Sequence, residues 1–214
     1  MIPAARRSLP APVWDHPEQM RRFAIPLAII AVIAIVVIGL TQTGGQKSGP
    51  QRLTLAEMQR DLKGAPPVLA AVYSRGNTIV GGSTKAFQAQ LATLHGHPVV
   101  VNKWASWCGP CRSEFPIFQH VATKLGKQVA FLGINANDHD AAARRFLRSE
   151  ALPYPSFSDE NLAISGKLGI VPIFPTTVFL DADGKRQYIH QGYYTSATQL
   201  ASDIRRYALH GASS

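Results

Sequence analysis

The most restrictive feature of this chain is a junction. Residues 98–105, PVVVNKWA, are apolar apart from Asn102 and Lys103, and they lead directly to Cys108-Gly109-Pro110-Cys111, which contains the only 2 cysteines of the 214-residue sequence. A strand that is apolar on both faces belongs in a sheet covered on both sides. The next segment, CGPCRSEFPIFQHVATKL, has helical spacing of its apolar residues, with a kink expected near Pro116. The chain must therefore leave a buried strand and enter a helix whose first turn carries both sulfurs.

The rest of the pattern fits around this junction. QVAFLGIN reads as a second buried strand, DHDAAARRFLRSEA as a helix capped by Asp138, and LAISGKLGI as a short helical segment. PTTVFLDADGKRQYIHQG predicts strand, turn and strand, with Asp183-Gly184 at the turn, and SATQLASDIRRYALH closes as an amphipathic helix. Upstream, Thr54 and Glu57 have capping-box spacing and Gly64 ends that short helix. APPVLAAVYSRGNTIVGGS suggests extended segments around Arg75-Gly76-Asn77, and Phe87, Leu91 and Leu94 mark one face of a further helix. Strand–helix–strand followed by helix–hairpin–helix gives an α/β fold, a mixed central sheet flanked by helices.

The compartment bears on the sulfur chemistry. Residues 23–40, FAIPLAIIAVIAIVVIGL, carry no charge and as a helix would reach about 27 Å, close to the thickness of a bilayer core. LTQTGG follows without an Ala-x-Ala cleavage pattern, so the run reads as an uncleaved transmembrane anchor rather than a signal peptide. Arg6, Arg7, Arg21 and Arg22 precede it, whereas Lys47 and Arg52 lie behind, which keeps residues 1–22 cytoplasmic and the remainder outside. Residues 41–64 form a linker with a short helix, 65–210 the folded domain and 211–214 a C-terminal tail. The expected location is the cell membrane, single-pass, with the domain in a compartment that oxidises exposed thiols. The formal charge of +9 reads as a solvated basic surface, one compatible with anionic headgroups, and no basic run interleaved with aromatics points to nucleic acid.

Three chemistries are open to the cysteine pair. As a staple it closes a very small loop and removes little entropy from the unfolded chain. As half of a zinc site it lacks two ligands, and His95-x-His97, the one close histidine pair, precedes the strand. As a redox pair it is well placed: at a helix start, unpaired N–H groups and the helix dipole stabilise a Cys108 thiolate. Gly109 leaves room for a partner sulfur, Pro110 suits an early helical position, and Cys111 can attack a mixed disulfide at Cys108.

WASWCGPCRSEFP and PTTVFLDADGK resemble the thioredoxin superfamily, specifically its membrane-anchored TlpA/ResA-like thiol–disulfide oxidoreductases, over about residues 65–210. The resemblance implies a thioredoxin fold and a dithiol mechanism without metal or organic cofactor. It implies that Cys108 attacks, that Cys111 resolves, and that Pro175 is a cis-proline beside the sulfurs, with Pro172 a weaker competitor. It places Phe174 where its backbone pairs with an extended substrate, Trp107 as a shield and partner contact, and Glu114 where it influences cysteine protonation. The other reading of Glu114 is a solvated helix carboxylate; Trp104 reads as core.

The sequence departs from the family pattern at three places. Asn102 stands where soluble thioredoxins have a buried aspartate, Lys103 stands at a strand position that is usually aromatic, and GIVPIFPT has an additional residue before its last proline. The Lys103 ammonium is expected to reach solvent or an anion. The expected function is reduction of disulfides in exported proteins, with apocytochrome c as a natural client and a CcdA/DsbD-type membrane thiol transporter as electron donor. A disulfide-forming oxidase, a thiol peroxidase and a redox-inactive binding module are the alternatives.

Overall fold

The computed structural model describes residues 52–81 and 84–209. The expected cytoplasmic tail, the anchor at 23–40, the first part of the linker and the C-terminal tail lie outside the described residues. Among the described residues no helix is long and apolar enough to cross a membrane.

Six strands form one mixed sheet in the order β1-β4-β3-β2-β5-β6. They are β1 (Ile79–Val80), β2 (Val99–Trp104), β3 (Ala130–Ala136), β4 (Ser156–Asp159), β5 (Thr176–Leu180) and β6 (Arg186–Gln191). β1 to β4 pair in parallel, while β5 runs antiparallel to β2 and to β6. Every residue of β2, β3 and β5 is buried, the signature of central strands covered on both faces. The fold is thioredoxin-like.

Alternation along β2 sorts the core. Trp104 stacks edge-on against Phe115 of α4 (Gly109–Leu125) and touches Phe146 of α5 (Asp140–Ser149), so these helices cover its face. On the opposite face Phe157 of β4 meets Phe87 of α3 (Thr84–Thr93), near α6 (Ala163–Lys167). At the hairpin end, Tyr188 of β6 stacks with Tyr207 at 4.1 Å, in the π-helical segment Ile204–Leu209 that continues α7 (Ala197–Asp203).

Several sequence expectations are corrected. The segment 65–73 is not extended: Pro67 stands at the first turn of α2 (Pro67–Tyr73), where its missing N–H costs nothing, and Leu69, Val72 and Tyr73 bury one face. Only Ile79–Val80 pairs as a strand. β4 was not expected, because SFSD is too short and polar to show a period. The linker helix, α1 (Leu55–Asp61), carries the expected capping box but belongs to the folded body. Met58 is fully buried, Leu62 nearly so, and the Gln119 side chain of α4 accepts from the Leu53 N–H at 3.2 Å. α4 runs on through Pro116. His139, not Asp138, occupies the N-cap of α5; Asp138 is drawn instead toward the loop that carries the cysteines.

Candidate active site

β2 ends at Trp104, and the chain turns through Ala105–Trp107 to place Cys108 at the N-cap of α4. The Asp138 carboxylate fixes this corner. It accepts from the Ser106 N–H at 2.6 Å, the Ser106 hydroxyl at 3.0 Å and the Asn135 side chain at 2.8 Å. The Cys108 N–H donates to the Ala105 carbonyl. A side-chain acceptor across the β3–α5 connection has no local sequence signal beyond an unsatisfied aspartate before a helix.

Cys108 and Cys111 are joined as a disulfide, and the Cys108 Sγ accepts from the Cys111 N–H at 3.2 Å. That contact is the geometry of a side-chain N-cap, with sulfur where oxygen more often sits. A Cys108 sulfur released as thiolate would occupy the positive end of a helix of 17 residues. Cys108 is 4% exposed and Cys111 fully buried, so the first sulfur is the one near the surface. The space beyond Gly109 is open, and Pro110 sits in the first turn of the helix.

A second loop borders this corner. Trp107 is 56% exposed, donates its indole N–H to the Asn137 carbonyl at 2.8 Å and packs its ring on Phe174, with centroids 5.0 Å apart. Phe174–Pro175 is the one cis peptide bond among the described residues, so Pro175 and not Pro172 carries that geometry. Val171 and Ile173, both exposed, extend the apolar rim.

Beneath the sulfurs lies a polar layer. Glu114, one turn after Cys111, is fully buried; it is not a solvated helix carboxylate. Its Oε1 accepts from the Asn102 side chain at 2.8 Å and its Oε2 from the Tyr194 N–H at 3.0 Å. Burial raises its pKa to about 8 against the opposing pull of these two donors. Tyr194, 80 residues along the chain from Glu114, could not be linked to it from sequence.

Lys103 does not reach solvent: its ammonium donates to the Val171 carbonyl at 2.8 Å, lies 4.3 Å from the centre of the Phe174 ring and feels the Asp159 carboxylate without forming an ion pair with it. The side chain is fully buried. Burial lowers its pKa to about 8, opposed by Asp159. Trp104 is core, as expected, and donates to Ser156. No cluster of metal-binding side chains is present among the described residues.

The model of the Redoxin family matches residues 80–204. The thiol-disulfide oxidoreductase ResA of Bacillus thuringiensis (strain Al Hakam) is 33% identical over 97 residues, 45% of this chain and 56% of that protein. The thiol:disulfide interchange protein DsbE of Pseudomonas fluorescens biotype C is 39% identical over 94 residues, 44% of this chain and 51% of that protein. The match thus spans about half the length of these curated relatives. Among solved structures, a DsbF homologue from Corynebacterium diphtheriae superimposes with a TM-score of 0.51 at 33% identity, covering 54% of this chain and 75% of that one.

Proposed function

The chain belongs to the Redoxin family, and from that premise we propose that it is a thiol–disulfide oxidoreductase that reduces disulfides in exported proteins. The observation that carries the reading is the Cys108 sulfur at the N-cap of α4, near the surface, with Cys111 buried behind it. Reduced, Cys108 attacks one sulfur of a partner disulfide and the other sulfur leaves as thiolate. Cys111 then attacks Cys108, the mixed disulfide breaks, and the partner departs with both thiols while Cys108–Cys111 forms. Two electrons pass from protein to partner.

In this reading Glu114 takes the proton of Cys111 as that thiol becomes a nucleophile. Trp107, Gly109, Pro110 and Phe174 contact the partner chain, and Pro175 shapes the backbone edge against which an extended segment lies. The domain works outside the cytoplasm behind the apolar run at 23–40, and no metal or organic cofactor takes part. Electrons reach the oxidised Cys108–Cys111 pair, in this reading, from a separate membrane thiol transporter of the CcdA/DsbD type. Apocytochrome c, whose cysteines must be reduced before haem attachment, is a client of the right chemistry.

Replacing Cys111 by Ser strands the mixed disulfide at Cys108. The expected result is exported cysteine proteins, cytochrome c maturation clients among them, attached to Cys111→Ser and absent from the Cys108→Ser, Cys111→Ser double variant. The reduction potential is expected nearer the thioredoxin value of about −270 mV than the oxidant value of about −120 mV. A potential at the oxidant end, with rapid oxidation of reduced test proteins, assigns the opposite direction. No trapped partner, with function intact in the double variant, removes the redox reading.

A further inference from the structure

We propose that the proton released at Cys111 leaves the interior along a row of side chains crossing the sheet, from Glu114 through the Thr177 hydroxyl to His190. The inference rests on the dithiol reading above and adds two residues to it, Thr177 and His190.

The row follows from strand register. Asn102 of β2 faces Thr177 of β5, and Thr177 faces His190 of β6. Directly opposed residues of antiparallel strands stand on the same face, with Cβ atoms about 4.5–5.5 Å apart. Three polar side chains therefore stand in line, beginning at Asn102, which holds Glu114. Glu114, Asn102 and Thr177 are buried, while His190 is only partly buried at the outer strand.

Two buried oxygens in this row have no hydrogen-bond partner in the protein: the Asn102 Oδ1 and the Thr177 Oγ1. A buried hydroxyl without a partner costs about 1–3 kcal/mol, and valine would fill the same volume without that cost. Packing alone gives no reason for threonine here. A hydroxyl that bridges two proton-carrying groups through water does. The outer end is fastened to the inner one as well. The His190 ring stacks on the Tyr194 ring at 4.1 Å, and the Tyr194 N–H holds the Glu114 carboxylate.

Other ionisable groups face this row. From the last helix Asp203 accepts from the Tyr194 hydroxyl at 2.8 Å and acts on His190, and Tyr154 interacts with Glu114 from the β4 side. Tyr188 lies on the same face of β6 as His190 and acts on Tyr194. Burial lowers the His190 pKa, so the ring is a neutral acceptor near pH 7, and Asp203 opposes that shift.

The transfer balances. At neutral pH Glu114 is mainly the acid, so its proton first passes by way of a water to the Thr177 oxygen, which releases its own toward His190, and the imidazolium loses a proton to solvent. As the Cys111 sulfur attacks Cys108, its proton passes to the Glu114 carboxylate so formed, and the bond to the partner breaks with its electron pair on the partner sulfur. The row thereby returns to its starting charge.

The test mixes the reduced full-length protein rapidly with a small peptide disulfide and follows tryptophan fluorescence. The first phase is attack by Cys108; the second is resolution by Cys111. Thr177→Val and His190→Gln are expected to slow the second phase about tenfold or more at neutral pH, within the range of general acid–base effects, and to leave the first unchanged. Thr177→Ser, which keeps the hydroxyl, retains the wild-type rate, and His190→Gly regains speed on addition of imidazole. Equal second-phase rates in wild type, Thr177→Val and His190→Gln overturn the inference. So does a loss that Thr177→Ser shares, or one that imidazole leaves untouched, because packing then accounts for it. Absence of the first phase in the wild type removes the dithiol reading itself, a result distinct from either.

Discussion

Where β2 meets the cysteine corner, adjacent residues carry polarity into opposite faces of the sheet. On one face Asn102 reaches an acid, Glu114, that is surrounded by donors. On the other Lys103 sends a base among acceptors, the Val171 carbonyl and the Phe174 ring. Burial drives both pKa values to about 8, one from below and one from above. The outcomes at neutral pH are opposite: Glu114 is mainly an uncharged acid able to exchange a proton, and Lys103 remains mainly a cation. In the proposed mechanism the first face carries the proton traffic of Cys111. The second ties the loop that carries Val171, Ile173 and Phe174 to the strand that delivers Cys108.

The comparison can be broken most forcefully by pH. Glu114 has a folded pKa above its unfolded one, so the native state binds the extra proton between about pH 4.5 and 8, and stability falls as pH rises through that window. The slope is about 1.4 kcal/mol per pH unit, up to ~5 kcal/mol in all. Denaturant titrations at successive pH values check this, and Glu114→Gln is expected to flatten the curve. An unchanged slope in that variant would place the titrating group elsewhere.

A smaller effect comes from removing the acceptor. Glu114→Ala leaves the Asn102 side chain and the Tyr194 N–H without their partner, at a cost of about 2–4 kcal/mol near pH 5, where the acid is neutral in wild type. Chemical denaturation at that pH measures it.

Lys103 reverses the sign and shifts the window. Its folded pKa lies below the unfolded value, so stability is expected to rise as pH increases from about 8 to 10.5, by about 1–2 kcal/mol, since its acceptor Val171 sits at the surface. Lys103→Met keeps the stem volume and removes this rise. If Lys103→Met retained the full rise, the ammonium would not be the group responsible. Trp107→Ala, at the exposed rim, loses the Phe174 contact and the Asn137 hydrogen bond, and is expected to change stability by no more than about 1.5 kcal/mol. Its larger consequence should be slower exchange with protein disulfides than with small dithiols.

Much of the cysteine corner could be read from contiguous residues. The apolar run of β2, the Gly-Pro between the sulfurs and the helical period of α4 are local signals, whereas Pro175 was singled out only by the resemblance of PTTVFLDADGK to the thioredoxin superfamily. The short pieces were less legible. SFSD became β4 through its neighbours in the sheet, since four half-polar residues have no period of their own. Residues 65–73 hold two prolines and precede the Arg75-Gly76-Asn77 turn, which suggested extension, whereas Pro67 opens a helix. Asp138 looked like a cap because an aspartate before a helical pattern commonly is one; its carboxylate had stronger partners at Ser106.

The sequence alone determined that a buried strand feeds a cysteine pair at a helix start, because period and turn chemistry act between neighbours in the chain. Only tertiary structure decided that Glu114 is buried, that Lys103 bonds a loop carbonyl, and that Asn102, Thr177 and His190 line up. Those facts depend on the register between strands distant in sequence, where a slip by one residue would send each side chain to the other face.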